Sequence, residues 1–360
     1  MYLGGGVDIS SDTQKASTSN GSIRFGLGGI ADAHCALKID EEQFAKGLTS
    51  PVFPRTRRRS PLLAQPRTMI TMPDLPPLED LWFERDGVRL HAVATGPADG
   101  LLVILLHGFP EFWYSWRKQI GALAEAGFRV VAPDQRGYNL SSKPPHIMDY
   151  TVGNLVADVV YIAGRLGRDH FHLAGHDWGA AVAWATVLFA PERVNKLAIL
   201  NVPHPTVFLR TLGSNPYQML RSWYMAFFQL PRIPELHFSA NNFAEGVKAL
   251  VASSRPGTFT PQDLDQYRKA WCNPGTVTAM INWYRALFRT RPPLPEDPRI
   301  HVPTRILWGE RDIFLLPEMA QESVFYCDSA ELTYFPNATH WLQHEEPEIV
   351  NAALIAHFRE

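Results

Sequence analysis

The chain carries Gly175-His176-Asp177-Trp178-Gly179 between the apolar run Phe171-His172-Leu173-Ala174 and the alanine-rich stretch Ala180-Ala181-Val182-Ala183-Trp184-Ala185. A strand, a small-residue turn and a helix start in that order form an elbow tight enough to push its central side chain out beyond the sheet edge, with Gly175 and Gly179 bracketing it. Such an elbow usually carries serine, but here it carries a carboxylate. A carboxylate attacks without giving up a proton, which suits displacement at a saturated carbon better than acyl transfer. Asp177 is therefore the candidate nucleophile, and its product is an alkyl ester that water and a general base must cleave.

The flanking pattern supplies a sheet to carry that elbow. Leu81-Trp82-Phe83 and Val88 to Val93 flank Asp86-Gly87, a two-residue hairpin signal. Leu101 to Leu106 is a continuous apolar run of the kind buried on both faces in a parallel sheet, and Arg129 to Pro133 is the next strand. Residues 152 to 166 space their apolar positions three and four apart, as an amphipathic helix does. Strands are also expected at 197–200, 304–309 and 331–335, with a last helix at 347–358. This alternation implies an α/β fold, a mostly parallel sheet flanked by helices, whose chemistry sits at the carboxyl ends of its strands.

The alternation breaks from about 205 to 295, where aromatic-rich helical stretches read as an inserted helical cap. The α/β core then comprises 76–204 and 296–360. Residues 1–75 are punctuated by Gly, Ser, Thr and Pro without sustained periodicity, and are expected to be disordered or loosely attached. They lack the apolar run of a secretory signal, and Met69 and Met72 offer later starts just before the globular pattern.

Lys and Arg number 34 against 36 Asp and Glu, a net charge of -2, which gives no reason to expect a nucleic-acid partner. Cys35, Cys272 and Cys327 are odd in number, widely separated and without metal-ligand spacing, as in a reducing compartment. No apolar run is long enough for a membrane span. A soluble cytoplasmic protein without metal or organic cofactor is expected, compatible with a homodimer.

Asp177 needs partners from other strand ends. His340, in Asn337-Ala338-Thr339-His340-Trp341 beyond the last strand, is the candidate base that activates water. His344 is its rival, nearer the final helix. Asp312, in Gly309-Glu310-Arg311-Asp312, would orient the imidazole, and the preceding strand offers only Asn201 in the equivalent place. Nucleophile, acid and histidine thus follow in chain order. His107-Gly108-Phe109-Pro110 supplies an oxyanion site, with the Phe109 and Trp178 N–H groups as donors.

With the loops Asp134-Gln135-Arg136-Gly137-Tyr138 and Ser141-Ser142-Lys143-Pro144, this set resembles the epoxide hydrolases of the α/β-hydrolase fold, soluble-type branch, from about 78 to 360. The resemblance implies a hydrolase acting on ether bonds that converts an epoxide to a vicinal diol. It also implies two cap tyrosines on the epoxide oxygen, and Tyr224 and Tyr284 fall at the matching places. Phenol donors suit this chemistry because opening an epoxide creates an alkoxide, a poor leaving group. His107, Trp113, Phe227, Phe228 and Trp341 are the candidate substrate-binding residues, and their aromatic character points to an apolar epoxide, with water as co-substrate. Two alternatives remain: a haloalkane or haloacid dehalogenase using the same aspartyl ester, and a non-catalytic ligand-binding protein on this fold. Phe109 stands where many haloalkane enzymes have Asn, and Trp178 where fluoroacetate enzymes have Arg. No member of the triad is missing.

Overall fold

The computed structural model describes residues 69–70, 72, 75–290 and 295–360. Among the described residues, nine strands make one sheet in the order β1-β2-β3-β5-β4-β6-β7-β8-β9. They are β1 (Met69–Ile70), β2 (Leu78–Arg85), β3 (Val88–Thr95), β4 (Leu102–Leu106), β5 (Arg129–Pro133), β6 (Phe171–His176), β7 (Val194–Leu200), β8 (Thr304–Gly309) and β9 (Ala330–Phe335). Pairing is antiparallel from β1 through β3 to β5, and parallel from there to β9. Every residue of β4, β5 and β6 is buried, which is why β4 reads as an unbroken apolar run and none of the three alternates. Asp86 and Gly87 both adopt left-handed backbone, φ 52° and 77°, as a two-residue hairpin turn requires.

Helices α1 (Arg117–Glu125), α2 (Val152–Arg165) and α3 (Trp178–Phe189) alternate with the central strands. Between β7 and β8 come α4 (Pro205–Ser214), α5 (Pro216–Arg221), α6 (Trp223–Phe227), α7 (Ile233–Ala252), α8 (Pro261–Trp271) and α9 (Thr276–Arg289); α7 is broken by non-helical backbone at residues 240 to 243. Helices α10 (Glu318–Val324), α11 (Leu342–Glu345) and α12 (Pro347–Arg359) complete the described chain. The inserted helices dock on loops at the carboxyl ends of the strands. Trp271 Nε1 donates to Pro110 O at 2.6 Å after β4, Trp283 Nε1 to Arg136 O at 2.9 Å after β5, and Gln218 Nε2 to Phe314 O at 2.8 Å after β8.

Strand β1 lies within the stretch expected to be unstructured, and pairs Met69 and Ile70 with Glu79 and Leu78. Two residues are too few to show a period, and the surrounding prolines mask them. The rest of the expected N-terminal extension, apart from residues 72 and 75, lies outside the described residues, as do 291–294 of the expected cap.

The elbow joins β6 to α3 under close packing. A Cβ on Gly179 would lie 2.1 Å from Leu106 O, one on Gly175 2.4 Å from Gly179 O, and one on Gly108 2.3 Å from Asp177 Cβ. No side chain moves aside to relieve a clash with backbone carbonyls. Gly179→Ala is therefore expected to cost about 3 kcal/mol of stability, read as a lower urea midpoint for unfolding.

Candidate active site

Asp177 is held at φ 51°, ψ -126°, a left-handed conformation that aims its carboxylate into the space above the sheet. Its Oδ1 accepts the Phe109 N–H at 2.7 Å. Its Oδ2 lies 3.3 Å from His340 Nε2. Trp178 is the first residue of α3, so its N–H has no acceptor within the helix and is available to a ligand oxygen.

His340 stands between two carboxylates. Its Nδ1 meets Asp312 Oδ2 at 2.7 Å, and its ring is almost wholly buried. Burial opposes charge on the imidazole, but Asp312 and Asp177 outweigh it and raise the pKa to about 10. Asp312 is itself fixed by the Phe314 and Leu315 N–H groups on Oδ1, at 2.7 and 3.1 Å, and by Asn201 Nδ2 on Oδ2 at 2.9 Å. Asn201 thus supports the acid, and its Oδ1 accepts the Gly309 N–H at 3.0 Å. For Asp177, burial raises the pKa, but His340, His176 and the Phe109 N–H together hold it below the usual carboxylate range.

Tyr224 and Tyr284 face Asp177 across one cavity, their rings 5.9 Å apart and nearly perpendicular. Burial and then the Asp177 charge push both phenols above the ordinary tyrosine range, so both keep their protons. Trp178 packs edge-on against Tyr284 with ring centres 5.1 Å apart. Apart from Asp177 and the two phenols, the cavity wall is apolar, with Ala181, Ala185, Leu188, Phe208 and Leu287 among its members.

His107, Trp113, Phe227, Phe228 and Trp341 are absent from that wall. His107 is buried; its Nε2 accepts the Gln135 N–H at 3.0 Å, so Nδ1 carries the proton shared with Gly108 O. Trp113 is buried, and its backbone N–H donates to Asp134. Phe227 packs against Trp223 and His237, and Phe228 against Phe109 and Tyr284. Trp341 donates from Nε1 to Ser253 Oγ at 2.8 Å, with its ring against His340.

A second buried cluster stands behind His340. The Glu111 carboxylate accepts from His344 Nε2 and from Tyr267 OH, each at 2.7 Å, and lies 3.3 Å from His176 Nδ1. Nε2 of His176 donates to His340 O at 2.7 Å. His344 is thus engaged away from Asp177, and burial, against the pull of Glu111, lowers its pKa to about 4. Sequence reasoning singled out neither Glu111 nor His176 for a role.

The alpha/beta hydrolase fold family matches residues 102–347. The chain is 44% identical over 275 residues to the AB hydrolase superfamily protein YfhM of Bacillus subtilis, covering 76% of this chain and 96% of that one. It is 40% identical over 281 residues to epoxide hydrolase 4 of Mus musculus, covering 76% and 77%. Among solved structures, Bacillus megaterium epoxide hydrolase in complex with an inhibitor superposes with a TM-score of 0.71 at 33% identity, covering 78% of this chain and all of that one.

Removing one flanking carboxylate from His340 should release part of its charge stabilisation. Asp177→Asn is expected to lower the His340 pKa from about 10 by about 1–3 units, followed by the imidazole 15N shifts across a pH titration.

Proposed function

The chain belongs to the epoxide hydrolases of the α/β-hydrolase fold, and we propose that it opens an apolar epoxide to a vicinal diol through a covalent ester on Asp177. The observation that carries this reading is the carboxylate elbow facing two phenols in one otherwise apolar cavity.

In the first step the epoxide oxygen accepts hydrogen bonds from Tyr224 and Tyr284, and Asp177 Oδ2 attacks a ring carbon. The Phe109 N–H binds Oδ1, which leaves Oδ2 free to attack. As the C–O bond breaks, charge grows on the oxygen between the phenols, whose hydrogen bonds strengthen with it. In the second step neutral His340, oriented by Asp312, takes a proton from water as that water attacks the ester carbonyl. The Phe109 and Trp178 N–H groups hold the resulting oxyanion, and its collapse frees the diol and regenerates Asp177.

Residues 205–295 act as the cap in this reading, and 76–204 with 296–360 as the core. No helix among the described residues is long and apolar enough to cross a membrane. Free Cys272 and Cys327 support a cytoplasmic setting.

Enzyme in excess over styrene oxide in oxygen-18 water tests the ester. The first-turnover diol should be unlabelled, with the label in the peptide that contains Asp177; label in that first diol would mean direct water attack and overturn the mechanism. His340→Ala is expected to stall at the ester before completing one turnover, with intact mass spectrometry showing protein heavier by one epoxide. Tyr224→Phe with Tyr284→Phe should lower the alkylation rate by about 10²–10⁴-fold in stopped-flow kinetics.

A further inference from the structure

The outer side of α5, α6 and the start of α7 reverses the usual surface pattern. Between residues 216 and 236, all of them described, every exposed side chain is apolar or aromatic except Arg232, whereas the buried ones include Gln218 and Ser222. Tyr217, Leu220, Trp223 and Leu236 are 73%, 70%, 65% and 71% exposed. The polar anchors explain the direction these helices face. Gln218 Nε2 donates to Ser222 Oγ at 2.9 Å and to Phe314 O at 2.8 Å, and Met225 is buried on the same side, which turns Leu220 and Trp223 outward. The patch continues from α6 into α7, because the Phe227 ring lies 6.0 Å from Trp223 and 5.9 Å from His237, the neighbour of Leu236. Single exposed apolar residues need no explanation, but a run of them on adjoining helices marks a surface that another body covers.

The free charge bordering this face is positive. No Asp or Glu occurs between Glu192 and Glu235. Glu235 is taken by Arg285, at 2.6 and 3.1 Å, and Glu245, beyond the break in α7, lies 3.6 Å from Lys248 and 4.0 Å from His237. Arg232 and Arg289 line a surface cleft together with Leu236. Both are exposed, and neither side chain has a hydrogen-bond or ion-pair partner among the described residues. This charge selects the occupant. A second copy docked about a two-fold axis would set the patch against itself and bring the two arginines toward their own counterparts, with Glu235 already engaged. An anionic bilayer surface suits both halves of the patch: leucines and rings enter the acyl boundary while guanidiniums meet phosphates. Tyr217 and Trp223 have the apolar body and polar tip that favour the boundary between lipid and water. No helix among the described residues is long and apolar enough to cross a membrane, so the contact is peripheral.

We propose that the face built by residues 216–236 docks on an anionic phospholipid surface, with Leu220, Trp223 and Leu236 entering the acyl boundary and Arg232 and Arg289 binding lipid phosphates. The docking stands apart from the epoxide reading, and its test reads binding alone.

The test is co-sedimentation of the full chain with phosphatidylcholine vesicles, with and without phosphatidylglycerol. The wild-type chain is expected to pellet with the vesicles that contain phosphatidylglycerol and to be partly released by salt. Leu220→Asp with Leu236→Asp, both at strongly exposed positions, should lower the partition coefficient at least about ten-fold while the circular dichroism spectrum stays unchanged. Arg232→Gln with Arg289→Gln should remove the preference for phosphatidylglycerol, and it decides the matter if the aspartate pair does not fold. A wild-type chain that stays in the supernatant, or folded variants that partition within about two-fold of wild type, would overturn the proposal. Sedimentation velocity without lipid covers the other occupant: a dimer that Leu220→Asp with Leu236→Asp dissociates would assign the face to a second copy and overturn the lipid surface.

Discussion

The turn at Asp177 is the constraint on which the other parts depend. A non-glycine residue at φ 51° carries strain on the order of 1–3 kcal/mol, and it persists only where the surroundings leave no alternative. Here those surroundings are the backbone carbonyls of Leu106 and His107 against Gly179, and Gly108 against Asp177 itself. The β4 end and the elbow can approach so closely only because neither Gly108 nor Gly179 carries a Cβ. That approach brings the Phe109 N–H within 2.7 Å of the carboxylate and starts α3 beside it, where the helix dipole favours a negative charge. The direction of α3, fixed at the elbow, also sets Ala181 and Ala185 in the wall of the cavity that Asp177 faces.

Buried charge is the second constraint, and each charged group is enclosed by specific donors. Asp312 receives two backbone N–H groups, one amide and one imidazole. Glu111 is fully enclosed, yet His344 and His176 overcome the cost of burial and hold its carboxyl below the usual range. Tyr267, from the inserted helix α8, donates to the same Glu111 oxygen as His344. Glu111 therefore ties those helices to the loop carrying His340, through His176 and the His340 carbonyl. Removing any one member would leave a buried polar group without its partner, which costs more than the bond itself contributes.

How much was legible in the sequence follows from the range of the interactions involved. Strand β4 reads as a continuous apolar run because both its faces are covered, a property of the strand alone. Asp177, Asp312 and His340 could be found because each follows a strand and the fold brings strand ends together. Asn201 was noted only as the wrong residue for the acid; its part as a donor to Asp312 depends on β7 and β8 being neighbours in the sheet. The cavity wall was the least legible part. Which aromatics face Asp177 depends on how α4 to α9 settle on the core, and nothing periodic in the sequence distinguishes Phe208, which lines the cavity, from Phe227, which does not. Ala181 and Ala185 were readable in principle as the fourth and eighth residues after the nucleophile, but alanines in a helix signal propensity before they signal space.

The imidazole of His340 presents a contradiction that the reaction itself resolves. A base with a pKa of about 10 is protonated at neutral pH and cannot take a proton from water. One of the two carboxylates that raise it, however, is the nucleophile. Once Asp177 becomes an ester its charge is gone, only Asp312 remains beside the ring, and burial pulls the pKa down. The histidine is thus neutralised by the step that creates the need for a base. Charge is conserved across the site as this happens: the carboxylate charge lost at Asp177 reappears on the opened epoxide oxygen, and a proton lost from His340 is matched by one gained at that oxygen, directly or by way of solvent. The site then passes from an ion pair with free epoxide to a neutral imidazole with a neutral hydroxy ester, at constant net charge. When water adds to the ester its proton returns to His340 and the carboxylate is restored, so the imidazolium of the resting enzyme is reset by the same step that releases the diol.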